Sequence, residues 1–206
     1  MRKYLIPAAA LVALAGGSVV VAQQMPPAPG TKDVSKVTGG SYVIEPTHTQ
    51  IVFAYDHMGF SNNLGIIAQP TGTLTLDPKN PAAAKVSVDI PVANLKTGVT
   101  ELDAHLMKAD FFDAAKFPKA TFVSTGVKVD GDDAEITGNL TIKGITKPVT
   151  LDADFYGVGT HPMNKKENIG FTATTAVKRS DFGMSYGVPM VGDTIELKIV
   201  AAFEKQ

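Results

Sequence analysis

The chain has 206 residues, with 19 Lys and Arg against 20 Asp and Glu, and neither cysteine nor tryptophan. A near-neutral balance without a basic block argues against nucleic acid or anionic headgroups as partners. Missing thiols exclude disulfide staples, thiolate catalysis, iron–sulfur clusters and Cys–zinc sites, so the fold must stand on packing alone.

Residues 1–22 read as a cleavable signal peptide. Arg2 and Lys3 supply the charged start, residues 5–15 are apolar, and Val20 and Ala22 hold the −3 and −1 positions of a small-residue cleavage site. Gly16, Gly17 and Ser18 cut the apolar run short of the roughly 20 residues that a bilayer span needs. Export with cleavage before Gln23 is therefore expected, leaving a chain of single-domain size. Residues 23–40 contain Pro26, Pro27, Pro29 and Gly30 and lack a hydrophobic period. They are expected to form a flexible spacer that Gly39 and Gly40 free from the domain at 41–206.

From Ser41 onward the pattern is that of strands. Ile51, Phe53 and Tyr55 alternate with Val52 and Ala54, and Val86, Val88 and Ile90 alternate with Ser87 and Asp89. Ile136, Gly138, Leu140 and Ile142 share a parity, as do Val149, Leu151, Ala153 and Phe155. Phe171, Ala173, Thr175 and Val177 follow, then Ile195, Leu197 and Ile199. A period of two gives each strand one apolar and one wet face. Asp130-Gly131 predicts a hairpin, Lys143-Gly144 and Tyr156-Gly157 predict further breaks, and Pro148 is placed near the start of a strand.

Residues 100–108 interrupt this rhythm as a short helix, with Thr100 as N-cap and Asp103 completing a capping box. Leu102 and Leu106 share one face with Met107 beside them, Asp110 is set to cap a second turn, and Pro118 ends the excursion. An all-β chain with one helical insertion predicts a barrel or sandwich. An antiparallel barrel of about eight strands removes the edges and is either packed solid or wide enough for one small or elongated ligand. Small residues among the inward positions and the absence of tryptophan lean towards a hollow interior.

Four phrases narrow this further: YVIEPTHTQIVFAYDHMGFSNNLG at 42–65, DAHLMKADFFDAAKFPKATF at 103–122, GNLTIKGITKPVTLD at 138–152 and KRSDFGMSY at 178–186. In this order and over nearly all of 41–203 the chain resembles the YceI family of periplasmic, lipocalin-like polyisoprenoid-binding proteins. The resemblance implies an eight-stranded antiparallel lipocalin-like β-barrel with an elongated internal pocket. It also implies a bound polyisoprenoid, isoprenoid quinone or fatty lipid, a periplasmic location, pairing as a homodimer and transient contact with a membrane or membrane protein. It assigns catalysis to no residue, and no other cofactor is expected.

Parity and resemblance together nominate ligand-binding residues. These are Phe53, Tyr55 and His57 on one strand, and Leu106, Met107, Phe111, Phe112, Phe117 and Phe122 around the helical insertion. Gly138, Leu140, Phe155, Ala173 and Phe182 complete the set. The four phenylalanines of 111–122 line a tunnel or fill the core beneath the helix. His57 shares the inward parity, facing a ligand or a structural hydrogen-bond partner. His48, His57, His105 and His161 lack the short-spaced pairing of a zinc site, so no metal is expected. Arg179, the one arginine beyond Arg2, is expected as a structural clamp at a strand end, with Asp181 beside it and Pro118 also structural.

Hydrolysis lacks a Gly-x-Ser-x-Gly elbow, and Asp56 and His57 are neighbours whose side chains oppose each other on a strand. The primary expectation is a noncatalytic lipid carrier or store. A structural or interaction barrel with a self-filled core is the alternative, and an enzyme acting on a lipid head the weaker one.

Overall fold

A computed structural model of the chain describes residues 27–206; the expected signal peptide and residues 23–26 lie outside the described residues. The strands are β1 (Gly40–Ile44), β2 (Gln50–His57), β3 (Ser61–Ala68), β4 (Thr71–Leu76), β5 (Lys85–Pro91) and β6 (Leu95–Lys96). After the helix α1 (Thr100–Leu106) come β7 (Lys119–Asp130), β8 (Asp133–Ile142), β9 (Ile145–Thr160), β10 (Glu167–Lys178) and β11 (Thr194–Lys205). The order β1-β4-β5-β7-β8-β9-β10-β11, closed by pairing of β11 with β1, makes an eight-stranded antiparallel barrel with one helical insertion.

Two of the eight staves are broken. Along β11, β1 ends at Ile44 opposite Phe203 and β2 starts at Gln50 opposite Val200. The bend between them is held by Thr49, whose hydroxyl donates to the Glu45 carbonyl at 2.8 Å and accepts from the Ala202 amide at 3.0 Å. Likewise β3 and β4 are parted by Gln69, with φ 58°, and Pro70, which has no donor to give a ladder.

The predicted alternating segments all fall within strands. The β7–β8 turn has Gly131 at φ 62°, and the β8–β9 turn places Lys143 and Gly144 at φ 53° and 75°, the paired left-handed residues that suit the strand twist. Pro148 pairs with Asn139 of β8, while β10 joins β9 only from Asp152 onward, so the missing N–H faces no ladder.

Other expectations need correction. Tyr156-Gly157 is no break: β9 runs on to Thr160, and the register against β10 shifts at Gly170/Phe171 as a bulge that leaves Tyr156 unpaired and exposed. Thr100 does not cap α1. Val99 is the N-cap, and the Asp103 carboxylate accepts from the Thr97 amide and hydroxyl, each at 2.7 Å. Turns do follow, but Asp110 caps none of them: its carboxylate meets His105, and the run of turns leads to Pro118, whose carbonyl accepts from the Val92 amide.

Residues 31–39, expected as part of a free spacer, are seated on the barrel. Thr31 exchanges two backbone hydrogen bonds with Val158 of β9 at 2.9 and 2.8 Å. Gly157 and Gly159 make room for this, since a Cβ on Gly157 would stand 3.1 Å from the Thr31 carbonyl oxygen. Val34–Lys36 form a 3-10 turn, and Thr38 donates its amide and hydroxyl to Glu167 at 3.2 and 2.7 Å.

The core is divided between the two ends. Tyr42, Ile44, Leu74, Phe155, Val158, Ile169 and Phe203 pack near the end carrying the N-terminal segment. Phe122, Leu140, Phe182 and Met184 pack towards the end carrying α1.

Candidate ligand cavity

The ring encloses a cavity of about 760 Å³, in the upper part of the range for small-ligand sites. Its wall is built by the two-residue period. Ile51, Phe53, Tyr55 and His57 of β2 face in, as do Val86, Val88 and Ile90 of β5 and Ile195, Leu197 and Ile199 of β11. From β9 come Val149, Leu151, Ala153 and Phe155, and from β10 Phe171, Ala173, Thr175 and Val177. The lining stretch of β7 from Phe122 to Val129 alone spans roughly 23 Å at about 3.3 Å per residue, so the space is elongated. Leu102, Leu106, Phe111 and Phe112 close over one end, and Val34 and Val37 border the other.

Of the residues nominated from sequence, Phe53, Tyr55, His57, Leu106, Phe111, Phe112, Phe122, Leu140, Phe155, Ala173 and Phe182 border the cavity, and Arg179 touches its margin. Met107, Phe117 and Gly138 are not part of the wall. Gly138 has the inward parity, but the Phe122 ring lies over it and a Cβ there would collide with that ring. Phe117 packs instead against Gly144, with the Lys116 ammonium 5.1 Å from its ring centre. Met107 lies past the end of α1, while Leu102, His105 and Leu106 present the helix to the cavity.

Polar groups gather at the α1 end. His57, Asn63, His105 and Tyr186 border the cavity there. His105 Nε2 is 3.1 Å from Asp110 Oδ2, and its ring meets Phe111 and Tyr186 edge-on, with centroids 5.0 and 5.5 Å apart. The bond to His105 holds the Asp110 carboxyl below the usual carboxylate range. Sequence reasoning missed Tyr186 and Asn63 as wall residues, and Val34 and Val37 too because their segment lacks a period. Tyr186 ends the KRSDFGMSY phrase at 178–186, which is the signal for it in the sequence.

Arg179 is only 6% exposed and fixes this end of the barrel. Its guanidinium donates to the carbonyls of Gly192 at 2.9 Å, Met184 at 2.7 Å, Tyr186 at 2.8 Å and Val191 at 2.9 Å. Burial lowers its pKa, opposed by the Asp193 charge. The carboxylate beside it is thus Asp193, which accepts from the Ser180 amide and hydroxyl, whereas Asp181 is exposed. Burial pushes Asp193 up, but the Ser180 bonds and the Arg179 charge outweigh it and leave its pKa lowered.

A second polar knot lies at the opposite end. The Tyr42 hydroxyl donates to Glu167 at 2.6 Å, and Tyr42 is fully buried. Burial, with the Glu167 charge and hydrogen bond, pushes the phenol up to about 12. Burial also raises Glu167, but hydrogen bonds from Tyr42 and Thr38 prevail and lower it. Among the described residues, no group of three or more His, Cys, Asp or Glu is placed to hold a metal ion.

A closed antiparallel ring around an elongated apolar cavity defines a hollow lipocalin-like barrel. The chain belongs to the family of the YceI-like domain, whose model matches residues 42–203. It is 43% identical over 155 residues to Protein YceI of Escherichia coli O6:H1, covering 75% of this chain and 81% of that protein. The Campylobacter jejuni YceI protein superposes with a TM-score of 0.65 at 33% identity, covering 73% of this chain and 90% of that one. Burkholderia cenocepacia BcnA shares the fold, with a TM-score of 0.67, 24% identity and coverage of 75% and 95%. So does a polyisoprenoid binding domain from Saccharophagus degradans, with a TM-score of 0.62, 14% identity and coverage of 80% and 98%.

Proposed function

We propose that the chain is an exported periplasmic protein that carries or stores one long apolar isoprenoid or related lipid in its barrel. The observation that carries this reading is the shape and chemistry of the cavity, elongated and walled mainly by inward aliphatic and aromatic side chains. Each methylene moved from water into such a space gains about 0.8 kcal/mol, so a polyprenyl tail binds strongly with one or two polar contacts at its head. Ordering the flexible tail opposes this and keeps exchange feasible. His57 is the head-group partner in this reading, with Phe53, Tyr55, Leu106, Phe111, Phe112 and Phe122 along the tail. The polyisoprenoid binding domain of S. degradans, which has the same fold, supports the ligand class. A barrel filled by its own side chains would leave no cavity of about 760 Å³. Pairing as a homodimer belongs to the same reading, and size-exclusion chromatography with light scattering tests it.

The decisive experiment is organic extraction of the purified protein followed by mass spectrometry. An isoprenoid or other long-chain lipid in near-stoichiometric amount is expected. Lipid-free protein that also fails to take up an added polyprenol overturns the reading.

A further inference from the structure

The turn joining β2 to β3 puts bare apolar side chains beside the α1 end of the cavity. Met58 and Gly59 both have left-handed backbones, at φ 59° and 69°, and the Phe60 amide closes the turn on the His57 carbonyl at 3.0 Å. Phe60 is left 86% exposed. The Met58 amide donates to the Met190 carbonyl at 2.9 Å, which ties this turn to the 187–191 loop, and Met190 is itself 63% exposed. His57 pairs with Val191, and both border the cavity. Tyr186 borders it too and is 59% exposed, so interior and surface meet beside the turn.

Folding does not require this exposure. Each of these apolar groups stands in water at a cost that association relieves, and an exposed cluster of this kind marks a contact site. Its shape selects the partner. Phe60, Met190, Tyr186 and the partly exposed Met58 together offer on the order of 400 Å², about half of what a stable protein interface takes from each partner. A fluid bilayer needs no complementary groove, and an aromatic ring with flexible thioethers suits its interfacial layer.

We propose that Phe60, Met58 and Met190 insert shallowly into a lipid bilayer and dock the barrel with its α1 end on the membrane surface, where the apolar ligand enters or leaves. The role in ligand exchange rests on the carrier reading above, whereas the docking itself does not.

The test compares wild type, Phe60→Ser and Met190→Ser in sedimentation with phosphatidylcholine vesicles, with Tyr156→Ser as control. Tyr156 is 67% exposed on the barrel wall, away from the α1 end. Phe60→Ser is expected to weaken vesicle partitioning by roughly tenfold or more, and Met190→Ser by several-fold, with Tyr156→Ser unchanged. Transfer of a polyprenol between vesicles should slow in step, while affinity for polyprenol supplied in detergent stays at the wild-type value. Equal partitioning of wild type and Phe60→Ser overturns the proposal, as does an equal loss in Tyr156→Ser. A wild-type dimer that Phe60→Ser converts to monomer overturns it in favour of a self-interface. Polyprenol that binds wild type by neither route defeats the carrier reading instead, and the vesicle comparison still decides the docking.

Discussion

Arg179 shows how one side chain can organise a whole barrel end. Its donors satisfy carbonyls from two stretches, 184–186 and 191–192, that contain no regular secondary structure to satisfy them. Lysine keeps the charge but not the planar fork, so Arg179→Lys is expected to cost about 2 kcal/mol in guanidinium denaturation, with the loss coming from carbonyls left unpaired. At the cavity wall, Ala173 and Gly138 share a parity but meet different surroundings. Ala173 faces the open space opposite Ala153, whereas the Phe122 ring and the Val123 carbonyl crowd Gly138. Ala173→Leu should therefore change ligand-free stability by less than about 1 kcal/mol while reducing lipid capacity. Gly138→Leu should cost about 3 kcal/mol or more through overpacking. Paired thermal melts and lipid titrations of the two variants read out the difference. His57→Phe is expected to fold normally and to weaken polyprenol binding by about 1–3 kcal/mol, the worth of a buried hydrogen bond to the head, measured in the same titration.

At the scale of elements, the N-terminal segment and β9 belong together. Residues 31–38 cross one end of the barrel, with Thr31 bound to Val158 and Thr38 to Glu167, and Glu167 in turn accepts from Tyr42 of β1. The Tyr42 phenol is raised to about 12 from an unperturbed 10, so folding favours its protonated form. Its stabilisation is complete below pH 10 and is lost as pH rises from 10 through 12. Denaturant melts over this window should show a decline of about 2–3 kcal/mol that Tyr42→Phe lacks. Glu167 works in the opposite sense: its pKa is lowered, so its stabilisation holds above the usual carboxylate range and fades as pH falls through it. The alternation of β2, β5, β8, β9, β10 and β11 was plain in the sequence because one wet and one apolar face leave a period of two. The N-terminal strap was not, because backbone bonds to Thr31 leave no trace in side-chain pattern. Gly157 looked like a turn for a related reason. A glycine that admits another backbone and a glycine that bends its own chain are the same letter, and only the distance to Thr31 separates them.

For the molecule as a whole, a hollow interior predicts a particular thermodynamic response. A ligand that binds only the closed barrel stabilises it by about 2.7 kcal/mol at a free concentration one hundred times its Kd, and the melting temperature rises with ligand accordingly. Differential scanning calorimetry of delipidated protein, titrated with a polyprenol and with a short-chain alcohol, should show a graded rise for the first alone. The closed ring and the inward parity of its walls were legible, since repeated one-sided strands admit few other solutions. The polar rim was legible only in part: His57 announced itself by parity, but Tyr186 and Asn63 depend on how loops fold back over the α1 end. The position of Arg179's partners was hidden altogether, as main-chain carbonyls are offered by every residue alike.

Closure through β11 also fixes an order of events in time. Thr194–Lys205 is hydrogen-bonded to β10, β1 and β2 at once, joining residues more than 150 positions apart, such as Tyr42 and Lys205. Until these last residues leave the ribosome or emerge across a membrane, β1, β2 and β10 are bare edges able to pair with any neighbouring strand. The barrel therefore closes only after its last strand has been synthesised, and until then the unfinished chain carries three edges open to wrong pairing.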